Sequence, residues 1–330
     1  MSENKLYPMR LCSLEDKYVW GKEIFKVADL GYRDSLISDG WLSSNTLSEV
    51  MDTYMDRVVG DNVFKAYGRQ FPIQVKIIEC ATKMPLRVHP DDTTASERYD
   101  ALGREKLWYI LKASPQARLV LGFEHDSDAS KMLEGIKDGS IEKNLLYVNP
   151  HAGESFRIKP GLIHGAIGEI EILEISQSSA LDFCVYPWGQ ALATDEFDSA
   201  LTIIDALDFI EYKAQKPEIL TPRKLNNDIY ELLNIDQFVV NKIELHEAIR
   251  ISSESVDTFA VYIGLYGKAS IKTTIDGLGE VTYSLEKGNA LLVPAEVNEI
   301  TIEPLEQTTS LLEAMGQYNL KKDDNEQQGE

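Results

Sequence analysis

The sequence predicts a mainly β protein: two jelly-roll barrels, with an N-terminal helical segment and a short helical insertion. Short runs rich in Val, Ile and aromatic residues recur between turn residues, and they follow one another without regular alternation with helices. A second set of such runs begins after about residue 225. At 330 residues and 43% hydrophobic, the chain can supply packed cores for about two domains.

One N-terminal helix is expected. Thr46-Leu47-Ser48-Glu49 reads as a capping box, and apolar residues at 47, 50, 51, 54 and 58 share one helical face. Strands are expected at 71–79, 107–112, 117–123, 155–159 and 170–176, with helical spacing at 127–137 and 141–148 marking an insertion of about residues 124–150. This first barrel and its N-terminal region occupy 1–225. A smaller second barrel over 226–320 is expected to use strands at 236–243, 258–266, 268–275, 280–285, 290–293 and 299–303, with Asp276-Gly277 as a turn. Residues 321–330 lack apolar content and read as a disordered acidic tail.

Composition narrows the function classes. A net charge of −21 repels nucleic acid and anionic membranes, so neither is expected as a partner. No run of 18 apolar residues is present, and the start Met-Ser-Glu-Asn-Lys-Leu-Tyr has no signal core, which together predict a cytoplasmic protein. Cys12, Cys80 and Cys184 are too scattered for a redox pair or a thiolate zinc site. Against the acidic average, residues 66–118 hold nine Lys/Arg and six Asp/Glu, a local excess suited to a small anion.

Two histidines stand in unusual settings. His89 lies in Val88-His89-Pro90-Asp91-Asp92, and His164 follows a strand and the Pro160-Gly161 turn, which directs an imidazole into a barrel mouth where it can ligate a divalent metal. With Trp20-Gly21, Phe71-Pro72, Trp108-Tyr109-Ile110-Leu111, Gly161-x-x-His164 and Leu173-Glu174-Ile175-Ser176-Gln177, these motifs resemble the type I phosphomannose isomerases of the cupin superfamily over most of residues 18–190. The second barrel resembles that family's C-terminal one at Leu285–Pro294. The resemblance implies two cupin-like barrels, a sugar-phosphate ligand, aldose–ketose isomerisation, and zinc or another divalent metal with His89 and His164 among its ligands.

This sequence departs from the family pattern at three positions. Arg87 stands where a glutamine ligand is expected, Lys106 where a glutamate ligand is expected, and Gln190 where an arginine is expected after the Val185-Tyr186 strand. An arginine offers no lone pair, and a lysine must first lose its proton to do so. Glu105 would need a bulge to replace the missing glutamate, whereas Glu174 shares strand parity with Ile170 and Ile172 and points inward. The expected site therefore comprises Lys106, Glu174 and Gln190 as catalytic groups, Arg87 and Arg104 as substrate-binding groups, and His89 and His164 as metal ligands. Three readings follow from these residues: a sugar-phosphate isomerase with an altered site, a non-catalytic module that binds an anionic sugar or another small anion, or a filled barrel whose cations only satisfy carboxylates.

Overall fold

A computed structural model describes residues 4–189, 203–252 and 256–317. The expected capping box is present: Thr46 Oγ1 accepts from the Glu49 amide, and the Glu49 carboxylate accepts from the Thr46 amide, which fixes the start of helix α1 (Leu47–Tyr54). Before it run strands β1 (Leu14–Tyr18) and β2 (Gly21–Val27); after it come α2 (Asp56–Val59) and α3 (Asp61–Tyr67). The chain continues through β3 (Ile73–Cys80), β4 (Leu86–Val88), α4 (Asp92–Tyr99), β5 (Lys106–Ala113), β6 (Arg118–Phe123), α5 (Ala129–Asp138) and β7 (Leu145–Val148). Then follow β8 (Ser155–Ile158), β9 (His164–Ile167), β10 (Ile170–Gln177), β11 (Phe183–Tyr186) and α6 (Ile203–Ala206).

The later strands are β12 (Arg223–Lys224), β13 (Ile229–Asn234), β14 (Phe238–Leu245), β15 (Ile249–Ser252), β16 (Ala260–Tyr266), β17 (Lys268–Ile275), β18 (Gly279–Glu286), β19 (Ala290–Val293), β20 (Glu299–Pro304) and β21 (Thr309–Gly316). The expected turn at Asp276-Gly277 joins β17 to β18.

All the strands pair antiparallel, in four sheets. The first two have the orders β1-β2-β3-β10-β5-β8 and β11-β4-β9-β6-β7; the others run β12-β13-β14-β21-β16-β19 and β15-β20-β17-β18. The mainly β jelly-roll class is the observed one, with each half an open sandwich of two sheets and not a closed barrel. Ile78, Trp108, Ile110 and Ile172 of the first sheet, with Trp20 from the turn between β1 and β2, pack with Leu119, Leu121 and Ala166 of the second, so these sheets face each other. The other face of the first sheet, carrying Ile73, Val75, Leu107, Tyr109, Leu173 and Ile175, shares one core with Phe238, Val240, Val261 and Ile263 of the later sandwich. Burying β3, β5 and β10 on both faces explains why they read as nearly unbroken apolar runs.

Some expectations change. Residues 141–148 were expected to be helical, yet only Ser140–Asn144 makes a 3-10 turn, and Leu145–Val148 is the edge strand beside β6. A four-residue apolar run fits either period, and pairing with β6 decides it. The tail at 321–330 and Gln190 lie outside the described residues. No helix among the described residues is long and apolar enough to cross a membrane.

Candidate functional site

The six-stranded sheet of the first sandwich places its polar groups by register. Glu174 on the central strand β10 lies opposite Lys76 on β3 and Trp108 on β5, and its neighbour on that face, Ser176, lies opposite Lys106. Alternation along the chain entering β5 sends Arg104, Lys106 and Trp108 to the interior, while Glu105 turns away and pairs with Arg157. Glu105 is therefore no substitute ligand. Across the interior, Arg87 on β4 is in register with His164 at the start of β9, and His89 follows directly after β4. The fold thus brings together Arg87, His89, Arg104, Lys106, His164 and Glu174.

Glu174 is fully buried and its two oxygens are heavily engaged. Trp108 Nε1 donates at 2.7 Å, Lys106 Nζ lies at 3.3 Å, Arg104 at 3.4 Å and Lys76 at 3.6 Å. Burial pushes the Glu174 carboxyl up, but Lys106, Lys76 and Arg104 outweigh it and hold the group well below the usual carboxylate range. Lys76 pairs with Glu23 of β2 at 2.8 Å. Arg87 pairs with Asp182 and reaches Glu23 at 3.6 Å. Burial also opposes the charged forms of Glu23 and Asp182, yet adjacent cations keep both below the ordinary range: Lys76 and Arg87 for Glu23, Arg87 and Arg104 for Asp182.

Both imidazoles are neutral. His89 Nδ1 donates to the Leu181 carbonyl at 2.9 Å, and His164 Nδ1 donates to the Leu162 carbonyl at 2.8 Å, which leaves each Nε2 with its lone pair. Burial, then the charge of Lys106, drives His164 down to about 3 and His89 well below its ordinary 6.5. The two rings are 5.1 Å apart, and the lone pair of His164 Nε2 meets Lys106 Nζ at 3.2 Å. Burial pushes Lys106 down from 10.5 to about 7; Glu174 opposes this, while Arg104 and Lys76 reinforce it.

The cluster opens toward solvent at Asp182, whose side chain is 24% exposed against 7% or less for the others. Beside it lie four buried polar atoms without hydrogen-bond partners among the described residues: Arg87 Nε, Arg104 Nε, His89 Nε2 and Asp182 Oδ1. Two donors, one lone pair and one carboxylate oxygen form a mixed set suited to hydroxyl groups, which both donate and accept.

No family model matches the chain. Among curated proteins it is 25% identical over 288 residues to the probable mannose-6-phosphate isomerase GmuF of Bacillus subtilis, covering 85% of this chain and 86% of that one. It is 27% identical over 228 residues, 68% of each chain, to the mannose-6-phosphate isomerase of Streptococcus mutans. The solved mannose 6-phosphate isomerase from Bacillus subtilis superposes with a TM-score of 0.78 at 20% identity, covering 94% of this chain and 99% of that one. The chain is a relative of the mannose-6-phosphate isomerases.

For a mannose-6-phosphate isomerase relative, the question is whether a divalent metal fits, and the donors present do not fit one. The Nε2 lone pair of His164 already faces Lys106, Arg87 is in register with His164 and pairs with Asp182, and Glu174 is enclosed by Lys76, Arg104 and Lys106. A divalent ion at the two imidazoles would have to displace Lys106 from His164 and lie near the permanently charged Arg104 in a low-dielectric interior, where like charges repel strongly. Among the described residues, no three His, Cys, Asp or Glu side chains converge to hold an ion.

The site also contains residues the sequence did not announce. Glu23, Lys76 and Asp182 complete it, and the two carboxylates offset much of the expected positive excess: three carboxylates stand among four basic groups, one of which, Lys106, is only partly charged near neutral pH. Lys76 gave one signal, since a lysine inside Val75-Lys76-Ile77-Ile78 interrupts a run buried on both faces. Asp182, in the turn before β11, gave none.

Proposed function

We propose that this chain binds a sugar phosphate at the open end of its first sandwich, and binds it without a divalent metal. The observation that carries this reading is the 3.2 Å approach of Lys106 Nζ to His164 Nε2, which puts a basic nitrogen where a metal would meet that imidazole. Arg87 and Arg104 supply donors for an anionic or hydroxylated ligand, and Asp182 and His89 supply acceptors. The names of the curated relatives support the ligand class. Thermal unfolding with mannose 6-phosphate, in the presence and absence of a chelator, tests the reading, because a ligand specific for the native state raises the transition temperature. An upward shift indifferent to the chelator is expected. Absence of a shift with mannose 6-phosphate and fructose 6-phosphate, or a shift that requires zinc, would overturn it.

A second reading rests on one specific observation. Lys106, with a pKa of about 7, exists as both amine and ammonium at neutral pH beside a bare imidazole nitrogen, and Arg104 lies close by. Aldose–ketose isomerisation moves a proton between adjacent carbons and stabilises an enediolate. Lys106 would carry the proton, and Arg104 would face the developing oxyanion. Turnover of mannose 6-phosphate in chelator, abolished by Lys106→Met, supports this reading. Binding with no turnover above the Lys106→Met background leaves the protein a binding module.

A further inference from the structure

The two sandwiches repeat one another strand for strand. In the larger sheets β1-β2-β3-β10-β5-β8 corresponds to β12-β13-β14-β21-β16-β19, and in the smaller ones β4-β9-β6-β7 corresponds to β15-β20-β17-β18, with β11 as an extra edge. The correspondence holds residue by residue at the centre. Glu174 is the fifth residue of β10 and Glu313 the fifth of β21, each strand eight residues long. Glu174 lies opposite the fourth residue of β3, Lys76, and the third of β5, Trp108. Glu313 lies opposite the fourth residue of β14, Asn241, and the third of β16, Tyr262.

The bonding repeats as well. Trp108 Nε1 donates to Glu174 at 2.7 Å, and Tyr262 Oη donates to Glu313 at 2.7 Å. On the other side Lys76 reaches Glu174 at 3.6 Å, and Asn241 Nδ2 donates to Glu313 at 2.8 Å. The surroundings differ. The position of Lys106 is Ala260 in the later sheet, and that of Glu23, fixed by its pairing with Ile78, is Ile229, paired with Ile243. The ionic partners are gone together, yet the carboxylate remains, 4% exposed, with an aromatic donor on one side and a nitrogen donor on the other.

We infer that Glu174 and Glu313 are equivalent members of a duplicated fold, each a carboxylate tie joining its central strand to both neighbours, and that the candidate site was built around a tie the fold already required. A carboxylate accepts along several directions at once, so it bridges three strands through side chains as the backbone ladder does through amides. In the first sandwich the same carboxylate also anchors Lys106 and Arg104. Its oxygens are taken by these duties, which separates its role from proton transfer.

Two double-mutant cycles test the inference, one with Glu174→Leu and Trp108→Phe, the other with Glu313→Leu and Tyr262→Phe. The readout is the apparent melting temperature of the full chain, so the test needs no ligand and does not depend on the functional reading. Each single change is expected to lower the melting temperature by several degrees, and each double variant to lie close to the worse of its singles, because the second change removes a bond already broken. Additive losses in the cycle at Glu313, or no loss there at all, would overturn the equivalence. Should Glu174→Leu fail to fold because it strands Lys76, Arg104 and Lys106, the Glu313 cycle still decides, since its partners Asn241 and Tyr262 are neutral.

Discussion

Lys106 makes the most quantitative prediction. Its amine is held at a pKa of about 7 in the folded chain, against 10.5 when unfolded. Between those values the unfolded chain binds a proton that the folded chain does not, so stability must rise with pH. Each pH unit across that interval carries up to about 1.36 kcal/mol. From pH 7, where the folded amine is half protonated, to pH 9, the rise works out at about 2 kcal/mol. The window ends near 9 because Cys80, raised from 9.0 to about 11 by burial, then acts in the opposite direction. Replacing Lys106 by Met keeps the aliphatic stem and deletes the titration. Urea unfolding of wild type and Lys106→Met at pH 7, 8 and 9 reads the effect, with the wild type gaining on the variant by about 2 kcal/mol across the series. A gap between the two proteins that stays constant with pH, or narrows in the wild type's disfavour, would refute the reasoning that burial and the neighbouring cations deprotonate Lys106.

Other groups give predictions of the same sign at lower pH, or of no effect. Glu23, Glu174 and Asp182 sit below their ordinary carboxylate range when folded, so their contribution is full above that range and is lost as pH falls through their folded values; near-UV circular dichroism should record acid unfolding that Lys76→Met shifts to higher pH. Asp182→Asn leaves Arg87 with Glu23 at 3.6 Å as its remaining carboxylate partner and should cost about 2 kcal/mol in urea unfolding, as well as weakening the response to mannose 6-phosphate. Glu105→Gln should leave that response unchanged, because Glu105 pairs with Arg157 on the opposite face of β5.

Much of this was legible in the sequence, and what was missed has physical causes. The capping box at Thr46 and Glu49 is local chemistry, so it could be read directly, and strand parity placed Glu174 inward and left Glu105 as a ligand only through a bulge, which the structure lacks there. The convergence of His89 and His164 followed from the resemblance. The extent to which carboxylates offset the local basic excess was not legible, because Glu23 and Asp182 come from separate segments and only the register of β2, β3 and β10 and the segment before β11 bring them to Lys76 and Arg87. A buried charge in a strand looks the same in sequence as a solvated one. The central strand β21 was also missed: in Thr309-Ser310-Leu311-Leu312-Glu313-Ala314-Met315-Gly316 the apolar residues lack β-branching, and it is pairing with β14 and β16 that makes it a strand. That omission hid the repeat of the first sandwich in the second.

The central claim is that Lys106 has taken the place of a metal at His164. Elemental analysis of the protein incubated with excess zinc and then desalted tests it directly, with the double variant Arg87→Gln, Lys106→Glu as the comparison, since those changes remove both cations and add a ligand carboxylate. The account predicts only trace zinc in the wild-type protein and a clear gain in the double variant. Near-stoichiometric zinc in the wild-type protein would contradict it.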